Sequence, residues 1–268
     1  MSATLEKAAR RLLTQGDPNP AGVVNPEGPS PFFLVCDHAG NAVPAALDRL
    51  GLPEEELNRH IAIDIGALEI AKRLSRRLDA ALYYQPYSRL VIDSNRQTHV
   101  TDSVPAVSDG TEIPANAELS DGARGQRIEE ILMPYHDSIE AALQARQDAG
   151  RETILVSVHS FTPALRARAE DRPWHVSVMW ADNERFGRPV LDELRKEAGL
   201  NVGMNEPYTV VMDGDYSIPL HAERRGIDYV EFEMRQDLTA TDSDAETWAE
   251  RLARVLQAAR DRYRSKAL

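Results

Sequence analysis

Two histidines stand at the ends of apolar runs: His38 follows "FFLVCD" and His159 follows "ILVSV". Glu233 lies near the end of a third such run, "YVEFEMR". Two imidazoles and a carboxylate are a frequent zinc set that leaves one coordination position free for water. A further carboxylate beside such a centre can move a proton. Taken singly, a histidine at a strand end is as often a hydrogen-bonded structural residue; two such ends in one chain favour the metal centre. Asp37, Asp64 and Glu233 are the candidate carboxylates. Spacing leaves the choice among them open, because the chain lacks a compact HExxH signature.

A second group lies in "YSRLVIDSNRQ", which supplies Arg89, Asn95 and Arg96. A guanidinium fork pairs with a carboxylate through two parallel hydrogen bonds, and a neighbouring amide can hold one of its oxygens. This pattern suits a small carboxylate substrate. The plainer alternative is that Arg89 and Arg96 neutralise Asp93 and Asp102 as surface ion pairs, which are worth only about 0–1 kcal/mol each.

The elements that must position these residues alternate between strand and helix, the pattern of an α/β sheet with helices on its faces. The strands are "FFLVC", "ALYYQ", "SRLVID", "ETILVSVHS", "WHVSVMW" and "GIDYVEFEMR", the second and third joined at Pro86. Helical spacing starts near Ile61 and continues through Leu78. "QRIEEILMPYHDSIEAALQARQ" reads as a helix kinked or broken at Pro134. "RPVLDELRKEAG" reads as a short helix closed by Gly199, and the last long helix has Asp244 as its cap. Residues 97–124, rich in Thr, Ser, Asp, Pro and Gly, form a long loop or lid. The expected fold is one α/β domain over residues 1–268, a mixed, mostly parallel sheet flanked by helices on both faces. Ligands of such sheets bind outside the carboxyl ends of the strands, where distant residues converge.

Composition narrows the partners. The 268 residues are 42% hydrophobic and 28% charged, with a net charge of −12. That balance disfavours nucleic acid and anionic membranes as partners, while a local basic pocket can still take a small anion. The single cysteine, Cys36, excludes an intramolecular disulfide framework and a Cys-rich zinc site. "MSATLEKAARRLLTQG" has no apolar core and reads as no signal peptide, and no run is long enough to span a membrane, so a cytoplasmic protein is expected. A homo-oligomer remains compatible with the sequence, although no exposed apolar stripe points to one.

The chain resembles the N-formylglutamate amidohydrolases, which are similar in fold to the zinc carboxypeptidases and to aspartoacylase, a phosphorylase/hydrolase-like architecture. The resemblance is carried by "DHAGNAVP", "IAIDIGALEIA", "SRLVIDSNR", "MPYHDSI", "VSVHSF", "DYSIPLHAERRG" and "VEFEMRQDL" in that order. It implies one Zn²⁺ per chain held by His38, Asp64 and His159. In the related carboxypeptidases the second ligand falls three residues after the first His; here that position is Asn41, a poor zinc ligand, so Asp37 and Asn41 stand behind Asp64. Asp37 is then expected to orient His38 or a loop amide.

The same resemblance implies Glu233 as general base, with Glu231 two residues away on the same strand face as its rival. It implies Arg89 at the scissile carbonyl, Asn95 and Arg96 at the substrate carboxylate, and His221 at the substrate or leaving group. His221 stands in "IPLH" where the family has "ITRH", so the segment bearing specificity differs, and residues 97–124 show little likeness to the family. The implied activity is zinc-dependent hydrolysis of an N-acyl amino acid such as N-formylglutamate. The alternatives are a hydrolase of another N-acyl amino acid or an ester, and a carboxylate-binding protein without catalysis.

Overall fold

The computed structural model describes residues 11–267. Part of the stretch read as no signal peptide, residues 1–10, lies outside the described residues. In chain order the strands are β1 (Gly22–Val24), β2 (Phe32–Cys36), β3 (Ala81–Tyr84), β4 (Val107–Ser108), β5 (Thr111–Glu112), β6 (Ile154–Phe161), β7 (Val176–Met179), β8 (Val202–Met204) and β9 (Asp228–Arg235). The α-helices are α1 (Glu54–Leu57), α2 (Ala67–Leu78), α3 (Asp121–Arg127), α4 (Met133–Asp148), α5 (Gly187–Leu194) and α6 (Asp242–Ala267).

Seven strands make one sheet in the order β1-β3-β2-β6-β9-β7-β8, and β4 pairs with β5 as a separate hairpin. Within the sheet β2–β3, β2–β6, β6–β9 and β7–β8 are parallel, while β1–β3 and β7–β9 are antiparallel. The five residues of β2 are all buried, as a strand covered on both faces requires. Adjacent Phe32 and Phe33 point to opposite faces. Phe32 meets Phe186, just before α5, and Phe33 stacks on Tyr83 under the Arg146 guanidinium of α4. The expected mostly parallel α/β sheet with helices on both faces is therefore the fold. Among the described residues no helix is long and apolar enough to cross a membrane.

Several local expectations change. "SRLVID" is no strand: Val91 N–H turns back to the Ser88 carbonyl, and Asn116 and Arg127 take the Leu90 and Val91 carbonyls. Its apolar residues pack instead into a second cluster with Ile61, Ile113 and Leu132. The helix expected from Ile61 begins only at Ala67. Gly66, at φ 81°, precedes it, and a Cβ there would come within 2.4 Å of the Thr239 carbonyl. Pro134 causes no break; α3 passes through a π-helical turn at Ile128–Leu132 into α4, and the proline, which lacks an N–H to donate to the preceding turn, closely follows that irregular turn. At α6, Thr241 and Asp244 cap reciprocally: the Thr241 N–H donates to Asp244 and the Asp244 N–H to Thr241 Oγ1.

Residues 97–124 contain 3₁₀ turns at Thr101–Ser103 and Pro114–Asn116, the β4–β5 hairpin and the start of α3. Asn116 donates to the Leu90 and Pro105 carbonyls, each at 2.9 Å, and Arg59 holds Asp109 at 2.7 Å.

Candidate active site

The parallel strands β2, β6 and β9 end along one edge of the sheet, so residues far apart in sequence meet there. His38 follows β2 by two residues. His159 lies in β6, opposite Glu233 in register on β9. Asp64 sits in the turn before α2, fixed by its backbone N–H, which donates to the His38 carbonyl at 3.0 Å. Asp64 Oδ2 is 2.9 Å from His159 Nδ1 and 3.3 Å from His38 Nδ1, and all three side chains are buried. One donor atom from each of the three lies within 4.8 Å of the others.

The far nitrogen of each ring faces its own carboxylate. His38 Nε2 is 2.7 Å from Asp93 Oδ1, and His159 Nε2 is 3.5 Å from Asp37 Oδ2. With the Nδ1 protons displaced by a cation, each ring would keep its proton on Nε2, facing its carboxylate, and turn its Nδ1 lone pair toward Asp64. Three acceptors facing one another in a buried space are the donor set of a cation, so His38, Asp64 and His159 fit a metal ion. Asp37 thus supports His159 and not His38, while Asp93, which spacing marked only as a partner for Arg89, supports His38. Tyr135 and Ser217 hydroxyls both donate to Asp37 Oδ1, at 2.7 and 2.8 Å. Asn41 turns away, donating to the Leu57 carbonyl and to Asn58.

The electrostatics follow from these partners. Burial works against charge throughout, but Asp37 and Asp64 lift His159 well above the ordinary histidine range, and Asp93 and Asp64 lift His38 despite burial and Arg89. The histidines in turn hold Asp64 and Asp37 below the usual carboxylate range against burial. Glu231 and Glu233 behave oppositely. Burial pushes Glu231 up to about 7 and Glu233 up to about 8, and each keeps a buried Oε2 with no hydrogen-bond partner among the described residues. Glu231 leans toward the back of His159, 3.9 Å from Nε2. Glu233 feels the charges of His159, Asp64, Glu231 and Arg89.

A cavity of about 150 Å³ opens at this point, lined by His38, Arg89, Asn95, Arg96, His159 and Glu233 among others. Arg89 lies on a turn and not a strand, forked onto Asp93 Oδ2 at 2.7 and 3.0 Å and 3.4 Å from Asp64 Oδ1. Asn95 Oδ1 accepts from the Tyr216 and Ser217 backbone N–H groups, and Nδ2 has no hydrogen-bond partner among the described residues. Arg96 pairs with Asp215 and reaches Asp102 at 3.5 Å. The plain ion-pair reading of Arg89 and Arg96 is thus half right: the pairs exist, but they form the cavity wall.

His221 is not brought to the cavity. It is fully buried, and its Nε2 meets His136 Nδ1 at 2.9 Å, while His136 Nε2 donates to the Ser94 carbonyl at 2.8 Å. Burial and the neighbouring His136 push His221 down to about 3. Sequence reasoning gave no role to Tyr208 or Arg172. Tyr208 lines the cavity, its hydroxyl accepting from Arg172 at 2.8 Å. Nothing in their spacing marks them, since they lie on irregular segments 36 residues apart.

A profile of the family described as N-formylglutamate amidohydrolase matches residues 30–240. The chain belongs to that family. Its fold is shared by the crystal structure of gene product Atu2144 from Agrobacterium tumefaciens, 32% identical, with a TM-score of 0.88 over 94% of this chain and 98% of that one. The N-formylglutamate amidohydrolase from Ralstonia eutropha JMP134 is 20% identical, with a TM-score of 0.66 over 91% of this chain and 98% of that one. At that identity the likeness speaks for the fold alone. No curated protein sequence matches. Family membership makes the chain an amidohydrolase, and the group His38, Asp64 and His159 is where it can hold a metal ion.

Proposed function

We propose that the chain is a zinc-dependent hydrolase of N-acyl amino acids, N-formylglutamate among them, releasing the free amino acid and a carboxylate. The observation that carries this reading is the convergence of two imidazole nitrogens on Asp64, each ring backed by its own carboxylate, beside two buried glutamates. A mere carboxylate binder has no use for such a set. One Zn²⁺ held by His38, Asp64 and His159 supplies Lewis acidity, polarising an acyl oxygen and making water acidic enough to react near neutral pH.

The chain's own residues do the rest. In its ionised form, which a bound cation nearby would favour, Glu233 takes a proton from the attacking water on Oε2 and passes it to the amide nitrogen as the C–N bond breaks. Arg89, anchored by Asp93 and Asp64, directs its positive charge into the cavity where negative charge develops on the acyl oxygen. Asn95 Nδ2 and Arg96 bind the substrate carboxylate, Arg96 sharing itself between that group and Asp215. Their distance from the chemistry lets remote binding orient the scissile bond. Tyr135 and Ser217 fix Asp37, which fixes His159.

The test is amine release from N-formyl, N-acetyl and N-succinyl amino acids, before and after chelation. Stoichiometric zinc and loss of amide cleavage on its removal, restored by added Zn²⁺, are expected. A fully active metal-free preparation sinks the reading.

A further inference from the structure

The reaction chamber adjoins a second, larger cavity of about 440 Å³, and Arg89, Arg96 and Tyr208 line both. Its outer wall is built by the 97–124 segment, through Pro105, Val107 and Ser108, with Leu165 and Ala167 from the chain after β6.

The charged side chains in that wall engage one another. Arg89 is forked onto Asp93, Arg96 is held by Asp215 and Asp102, and Arg168 and Arg172 both reach Glu170 Oε2, at 3.1 and 2.7 Å. His60 faces Asp109 at 3.4 Å, and Arg59 holds the same carboxylate. Between them the lining is Pro105, Val107, Ser108, Leu165, Ala167 and the Tyr208 ring, with buried Ile61 adding little surface. Val107 is 58% and Tyr208 39% exposed, two of the five large apolar side chains exposed among the described residues. The Arg172 guanidinium lies over the Tyr208 ring, 5.1 Å from its centroid, and donates to its hydroxyl. A concavity that exposes apolar side chains between mutually engaged charges, beside a reaction chamber, is a candidate binding surface.

We propose that this outer cavity is a specificity subsite for an apolar or aromatic group of several carbons, carried by the substrate beyond the scissile amide. The inference rests on the amide-hydrolase reading and deepens it. It shifts the preferred substrate from a one-carbon acyl group on an acidic amino acid toward a bulkier, uncharged one. Two sources supply the same chemistry, the acyl chain and the amino-acid side chain, and paired substrate series separate them.

One series holds the amino acid fixed as glycine and lengthens the acyl group from formyl through butanoyl and hexanoyl to benzoyl. The other holds N-formyl fixed and moves from alanine through leucine to phenylalanine. One series is expected to rise in kcat/KM by roughly fourfold per methylene buried, the equivalent of ~0.8 kcal/mol each. Val107→Asp is expected to erase that rise while leaving N-formylalanine turnover unchanged. Binding without turnover is read by calorimetry on the zinc-loaded protein, comparing N-methylglycine with N-hexylglycine and N-methylalanine with N-methylphenylalanine, none of which has an amide to cleave. Cleavage of N-formyl substrates with both series flat, or an equal loss on all substrates in Val107→Asp, overturns the subsite and leaves the hydrolase standing. Tighter binding of the bulkier derivative, lost in Val107→Asp, in a protein that cleaves no amide keeps the subsite and overturns the hydrolase.

Discussion

Two histidine pairs lie buried in this chain with nearly the same ring separation, 5.0 Å between His38 and His159 and 5.2 Å between His136 and His221. Burial alone makes them alike; their neighbours make them opposites. His38 and His159 each have a carboxylate behind the ring and share Asp64 in front, which raises both. His136 and His221 hydrogen-bond to each other and to a backbone carbonyl, and burial leads in lowering both. The Nε2–H of His136 is committed to Ser94, so its Nδ1 accepts the Nε2–H of His221 and the pair is neutral. One pair is arranged to hold a cation. The other is arranged to stay uncharged and to brace the turn that carries Asn95 and Arg96.

The largest contrast comes from removing a member of each pair. His159→Ala or Asp64→Ala is expected to lower bound zinc to near zero and kcat by about 10³-fold or more, since a Lewis acid contributes several kcal/mol. His221→Phe is expected to keep its zinc. Elemental analysis of the purified variants decides; equal metal content in all of them breaks the distinction. A finer version touches only the support. Asp93→Asn keeps the shape but weakens the acceptor behind His38, and is expected to cost roughly 10- to 100-fold in metal affinity, measured by competition with a chelator.

How far the sequence carried these points differs between the pairs for a physical reason. His38 and His159 were legible because each ends an apolar strand, and parallel strands deliver their ends to one edge. Asp64 was not legible from spacing; it came from likeness to the family, and its place depends on the close approach of Gly66 to Thr239. Asp93 was hidden behind a misread strand. Leu90, Val91 and Ile92 are all buried, as a strand's would be, yet the Leu90 and Val91 carbonyls are claimed by Asn116 and Arg127. The His136–His221 contact spans 85 positions and leaves no local pattern, so His221 was expected at the substrate. Residues 97–124 read as an irregular excursion because their order is imposed by long-range anchors such as Arg59 on Asp109.

The neutral pair should reveal itself in stability more than in chemistry. His221→Phe leaves the His136 Nδ1 acceptor buried and unpaired, and is expected to lose about 1–3 kcal/mol of unfolding free energy. His221→Gln keeps an amide N–H for that acceptor and should recover most of it. The glutamine variant also sharpens the charge argument, because it cannot titrate. His221 is faced by His136, Arg225, Asp37 and, at 3.8 Å, Glu140, and its folded value of about 3 lies below the ordinary 6.5. The unfolded chain therefore binds the proton first as pH falls. The stability that the neutral ring contributes is complete above 6.5, declines below it, and is lost by about 3. One pH unit below 6.5 the wild type is expected to have lost roughly 1 kcal/mol more than His221→Gln. Denaturant unfolding of both proteins between pH 7.5 and 5.5 measures the difference, and parallel pH profiles would mean that His221 titrates in the fold as it does in the unfolded chain.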